Sequence, residues 1–90
     1  MRVPITTDLK TICKAISRSE RKTEAEWAAV ESDDMFQTST VHGGYDATEQ
    51  AFCFSYYDAA EQEWWFQLTL REAEDLAVGE HVEIEGRRAE

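Results

Sequence analysis

The stretch that decides the fold is Ala51-Phe52-Cys53-Phe54-Ser55-Tyr56-Tyr57-Asp58-Ala59-Ala60-Glu61-Gln62-Glu63-Trp64-Trp65-Phe66-Gln67-Leu68. In its first part Phe52, Phe54 and Tyr56 alternate with Ala51, Cys53, Ser55 and Tyr57. In its last part Trp64, Phe66 and Leu68 alternate with Glu63, Trp65 and Gln67. A period of two is that of a strand with one buried face. Asp58 to Gln62 is a short polar connection, so the two strands form an antiparallel hairpin. The Phe52/Phe54/Trp64/Phe66 face should carry the helices, which turns Tyr57 and Trp65 the other way.

Upstream, Met35 to His42 is rich in Thr, Ser, Val and Phe and reads as a strand that Gly43-Gly44 ends. Leu9, Ile12, Cys13 and Ile16 recur at helical spacing, with Thr6 or Thr7 as N-cap, while Lys10, Lys14 and Arg18 share another face. Thr23-Glu24-Ala25-Glu26 fits a capping box; its helix should run through Trp27 and Val30 and stop near Ser32-Asp33-Asp34. Downstream, Thr69-Leu70-Arg71-Glu72 is a second capping box, followed by the inner stripe Ala73, Leu76 and Ala77, with Gly79 placed to end the helix. Glu80 to Glu85 alternates, with Val82 and Ile84 inward, and reads as a last strand; Arg87 to Glu90 reads as a tail. The predicted order is ααβββαβ, an α+β fold with an antiparallel sheet of three to four strands and helices on one face.

Ninety residues make one domain with a thin core, leaving little room for a deep substrate pocket. The 42% apolar content is too high for a disordered chain, even at a net charge of −10. No run approaches the roughly 20 apolar residues of a membrane span, and Met1 to Asp8 lacks the apolar stretch of a signal peptide. Cys13 and Cys53 fall on apolar faces and read as reduced core thiols, so a cytoplasmic location is expected. Charge divides the chain: residues 1–22 form a basic helical segment with six bases and two acids, and residues 23–90 an acidic body with three bases and seventeen acids.

Catalytic and metal motifs do not emerge. His42 and Asp46 bracket a glycine pair with no third ligand near in sequence, and His81 sits among glutamates. Neither cysteine has the setting of a catalytic nucleophile. Glu61 with Glu63, and Glu72 with Glu74 and Asp75, are carboxylates in polar surroundings, where nothing drives their pKa values apart. Gly43-Gly44 lacks the lysine and helix of a phosphate cradle. The chain is therefore expected to be no enzyme and to need no cofactor or metal.

What remains is binding. Residues 24–86 hold sixteen acids and one base, Arg71, a surface that repels nucleic acid and attracts basic proteins. On an extended strand Glu83 and Glu85 would point to one face about 6.8 Å apart, close to the phosphate spacing along a nucleic-acid strand. Tyr57 and Trp65 supply the aromatic contacts typical of binding hot spots. The expected partner-binding residues are Tyr57, Asp58, Glu61, Glu63, Trp65, Glu83 and Glu85. The expected partner is a basic protein or ribonucleoprotein, with no direct nucleic-acid or membrane contact. Small inhibitors share this recipe: nucleic-acid mimics, anti-CRISPR and other phage anti-defence proteins, and toxin-immunity proteins. The alternative is a structural or adaptor module, a homodimer through the aromatic sheet face.

Overall fold

The computed structural model describes residues 1–30 and 35–90. Its elements are α1 (Thr7–Arg18), α2 (Glu24–Ala28), β1 (Phe36–Gln37), β2 (Val41–Asp46), β3 (Ala51–Tyr57), β4 (Glu63–Leu68), α3 (Leu70–Ala77) and β5 (Arg87–Arg88). The fold is α+β. The five strands form one antiparallel sheet in chain order, with α3 inserted between β4 and β5.

The hairpin forms as its alternation requires. Phe52 lies opposite Leu68, Phe54 opposite Phe66 and Tyr56 opposite Trp64 on the inner face; Cys53 faces Gln67, Ser55 faces Trp65 and Tyr57 faces Glu63 on the outer one. Against the inner face pack Leu9, Ile12, Cys13 and Ile16 of α1, Trp27 of α2, and Leu70, Ala73 and Leu76 of α3. Trp27 anchors its short helix edge-on to Phe52, with ring centroids 5.0 Å apart, and donates its indole N–H to the Arg21 carbonyl at 3.0 Å. Burying such an aromatic is worth about 3 kcal/mol or more, so this one residue fixes α2 to the sheet.

The helix ends follow from side-chain chemistry. Thr6 caps α1 by accepting the Leu9 N–H, and both capping boxes form, Thr23 with Glu26 and Thr69 with Glu72. Beyond α3, Gly79 at φ +85° donates to the Leu76 carbonyl and Glu80 to that of Asp75, the paired bonds of a Schellman stop.

Four expectations need correction. The segment expected as one strand from Met35 to His42 contains a reversal at Thr38–Thr40, so it supplies β1 and the start of β2. Across it Thr38 donates its backbone N–H to the Val41 carbonyl at 2.7 Å and accepts the Val41 N–H on its hydroxyl at 3.1 Å, and Asp8 accepts the hydroxyls of Thr40 at 2.6 Å and Ser39 at 2.9 Å. Gly43-Gly44 does not break the strand but lies inside β2. A Cβ on Gly43 would meet the Cys53 carbonyl and the Phe54 ring, so glycine there permits close approach between strands.

The helix starting at Glu24 stops at Ala28, short of Val30, and the predicted stop at Ser32-Asp33-Asp34 lies outside the described residues. Finally, Glu80 to Glu85 is not a sheet strand. Its alternation is satisfied by the N-terminal segment: Val3 donates to the Ile84 carbonyl at 2.8 Å, Gly86 donates to that of Met1 at 2.7 Å, and Arg2 bridges Glu85. The strand that completes the sheet is Arg87–Arg88, in the expected tail, placing Arg87 opposite Trp65 and Arg88 opposite Trp64. Among the described residues the count is thus five strands, one more than the upper expectation.

Candidate functional site

With all three helices on the inner face, the outer face of the sheet is left open. The register orders its side chains in rows. His42, Ser55, Trp65 and Arg87 form one row across β2, β3, β4 and β5; Gly44, Cys53 and Gln67 form the next. Tyr57 and Glu63 flank the first row on its other side. Small residues at the centre and large ones around it make an open groove of about 990 Å³. Its lining includes His42, Cys53, Ser55, Trp65 and Gln67 from the sheet. Asp46, Glu49, Glu72, Glu83 and Glu85 bring five carboxylates to it, and Arg87 its one guanidinium.

Trp65 is 42% exposed and Tyr57 38%, the two most exposed aromatics among the described residues. Tyr57 is held at both ends. Its ring stacks on His42, 5.9 Å between centroids and 20° from parallel, and its hydroxyl donates to Glu63 at 2.8 Å. That bond to a carboxylate, reinforced by desolvation and by the Glu63 charge, pushes the phenol pKa up.

The groove's negative field reaches its floor. The Cys53 thiol is pushed up by partial burial and by the charges of Asp46 and Glu49. Cys53 is half-buried on the outer face, not in the core as its apolar neighbours suggested. Cys13 is the core thiol, fully buried beneath α1 and pushed up to about 11 by that burial; both thiols are free.

The residues singled out from sequence divide into three groups. Tyr57, Glu63 and Trp65 share the open face. Glu83 and Glu85 line the groove beside them, carried by the 80–85 segment and not by a regular strand, and they are partly paired. Arg2 lies 3.3 Å from Glu83, and the Met1 amine 3.1 Å from Glu85. Asp58 and Glu61 belong to the β3–β4 loop. The Asp58 carboxylate accepts the backbone N–H groups of Ala60 and Gln62 and the Trp64 indole N–H, which hold it below the usual carboxylate range, the indole bond contributing most. Asp58 is therefore spent on the loop. Glu61 occupies the left-handed position of that loop at φ +62° and is exposed away from the groove lining.

Sequence reasoning missed His42, Ser55, Cys53, Gln67 and Arg87. The signal for four of them was present: alternation with Phe52, Phe54 and Phe66 already turned Cys53, Ser55 and Gln67 outward with Trp65, and His42 precedes the glycine pair. Arg87 could not be found, because its strand was misplaced.

Arg87 is the one lysine or arginine of the groove lining. Lys10, Lys14 and Arg18 are exposed along α1, and none forms an ion pair among the described residues. Among those residues no three His, Cys, Asp or Glu side chains converge to hold a metal, and no helix is long and apolar enough to cross a membrane. Comparison of the chain with protein-family models, with curated proteins and with solved structures found no match.

Proposed function

We propose that this protein is a small acidic inhibitor that binds a basic nucleic-acid-handling protein or ribonucleoprotein through its open sheet face and masks that partner's nucleic-acid site. One observation carries the reading. The uncovered face of the sheet presents the exposed Trp65 in a groove lined by five carboxylates and one guanidinium, with the exposed Tyr57 on the same face beside it.

Each part has a physical consequence. Exposed aromatics on a rigid scaffold bury large area at low entropic cost, which suits them as binding anchors. Carboxylates around them attract a positively charged partner over distance and speed its encounter. The same carboxylates repel phosphates, so nucleic acid is a competitor of this face and not its ligand. They also repel a second copy of the face, which counts against a homodimer formed by two such grooves. A basic protein site shaped for a phosphate backbone satisfies all three conditions. The function classes that meet this description are anti-CRISPR or other anti-defence inhibitors and immunity proteins that neutralise a nuclease toxin.

The test is capture from source-cell lysate with the wild-type protein and with Trp65→Ala as baits, eluted in salt steps. The reading requires one basic partner retained by the wild type and released by salt, weakened by Trp65→Ala, and blocked from binding nucleic acid at a one-to-one ratio. A partner that keeps its nucleic acid when saturated with this protein would make the chain an adaptor and not an inhibitor.

A further inference from the structure

We infer that the fork between β4 and the 84–86 segment, at Gln67 and Glu85, takes an extended main-chain segment of the partner by strand addition. The inference rests on the preceding reading of the open face as a protein-binding site, and it names how the partner's chain is held there.

The fork follows from the phase of the hydrogen bonds. Along a strand, successive peptide groups point to opposite edges. On β4 the odd-numbered residues point towards β5, since Ala89 donates to the Glu63 carbonyl at 3.1 Å and Arg87 lies opposite Trp65. Gln67 is next in that series, and continued register would bring Glu85 opposite it. The chain turns away first. Gly86 donates to the Met1 carbonyl and Val3 to that of Ile84, so residues 84 and 86 bond the N-terminal segment. By the same alternation the N–H and C=O of Glu85 point back towards β4. No backbone bond joins Gln67 to Glu85, and the peptide N–H and C=O of both are without a partner among the described residues. Two donors and two acceptors therefore aim into one gap, and both residues line the groove that holds Trp65.

The gap is held open. Val3 and Ile84 are buried in the core, which anchors the ribbon that carries Glu85. Gly86 permits the divergence, because a Cβ there would stand 2.8 Å from the Val3 side chain. Peptide groups need partners, and an extended chain offers its own N–H and C=O to such an edge.

Charge is not what selects this occupant. Arg87 stands beside Trp65 at the apex of the fork, and Arg2 and the Met1 amine lie 3.3 and 3.1 Å from Glu83 and Glu85. Main-chain bonding is indifferent to that balance. Nucleobases also carry donors and acceptors, but they bring phosphates. Asp46, Glu49 and Glu72, which line the groove with no ion pair among the described residues, repel those. Trp65, two residues from Gln67 on the same face, gives a side chain of the added segment its apolar contact.

Proline supplies the test. The bonds of β4 to β3 run through Phe66 and Leu68, so Gln67→Pro removes the donor at the fork and leaves that ladder intact. Gln67→Ala keeps the donor. Binding is measured with the protein captured by the wild-type bait, and amide exchange is followed by NMR in the free and bound states. In the free protein the Gln67 and Glu85 amides should exchange fast beside slow Phe66 and Leu68, and binding should slow both. Gln67→Pro should weaken binding roughly two- to tenfold, the range of one hydrogen bond, and Gln67→Ala should not. If Gln67→Pro unfolds, the exchange of the wild type decides alone. A Gln67 amide already slow in the free protein, through this chain or a second copy, overturns the fork. A partner that binds while Gln67 stays fast, or that binds a folded Gln67→Pro as it binds the wild type, also overturns it and leaves the basic-partner reading standing. A wild-type bait that captures nothing overturns the two together.

Discussion

The carboxylate of Asp58 accepts the indole N–H of Trp64 at 2.9 Å, while its other oxygen accepts the Ala60 and Gln62 N–H groups at 2.9 and 3.0 Å. One side chain thus closes the β3–β4 loop and ties it to β4. Asp58→Ala is expected to lower the melting temperature clearly, because it orphans three donors at once. Glu61→Ala, three residues away and exposed, should leave stability within about 0.5 kcal/mol of the wild type. Thermal melts of the two variants side by side check the contrast.

Acid should unfold the protein in part through two carboxylates. Asp8 is held below the usual range chiefly by the Thr40 hydroxyl and then by that of Ser39, and Asp58 chiefly by the Trp64 indole. Both folded-state values are depressed. The stability they contribute is therefore present above the unfolded carboxylate value, about 3.9, and is lost as pH falls through the lower folded values. The Asp8→Asn/Asp58→Asn double variant should be less stable at pH 7 and should lose less on going from pH 6 to pH 3. Denaturant titrations at the two pH values measure both differences.

The two glycines at positive φ should respond differently to alanine. Gly43→Ala drives a Cβ into the neighbouring strand at Cys53 and Phe54, and is expected to cost more than about 2 kcal/mol. Gly79→Ala meets open space, so only the left-handed backbone at φ +85° opposes it, about 1 kcal/mol. Chemical denaturation of both variants tests the ranking.

Like charge around the groove predicts a monomer. Sedimentation at low salt should give 10.4 kDa across a wide concentration range for the wild type and for Trp65→Ala alike. A wild-type dimer that Trp65→Ala dissociates would move the aromatic face from partner binding to self-association.

Much of this architecture is legible in sequence wherever one residue type has one use. The Phe52/Phe54/Tyr56 and Trp64/Phe66/Leu68 alternations give the hairpin and its buried face, and threonine with glutamate three residues on gives both capping boxes. Reading fails where one pattern serves two purposes. Gly43-Gly44 looks like a turn but allows backbone approach within β2. Val82 and Ile84 alternate like a sheet strand, yet their segment pairs with residues 1–3, and no local pattern names that distant neighbour. The same ambiguity obscured the site. The apolar chemistry of Cys53 suggests the core, while its place between Phe52 and Phe54 turns it outward, and Arg87 enters the groove through a two-residue strand that periodicity cannot detect.

The measurement that bears most directly on the open sheet face is the association rate of the captured partner with the wild type and with Glu83→Lys/Glu85→Lys, across a salt series. A carboxylate-steered face predicts slower association for the double variant and a shallower dependence on salt. Identical rates and identical salt slopes for the two proteins would contradict it.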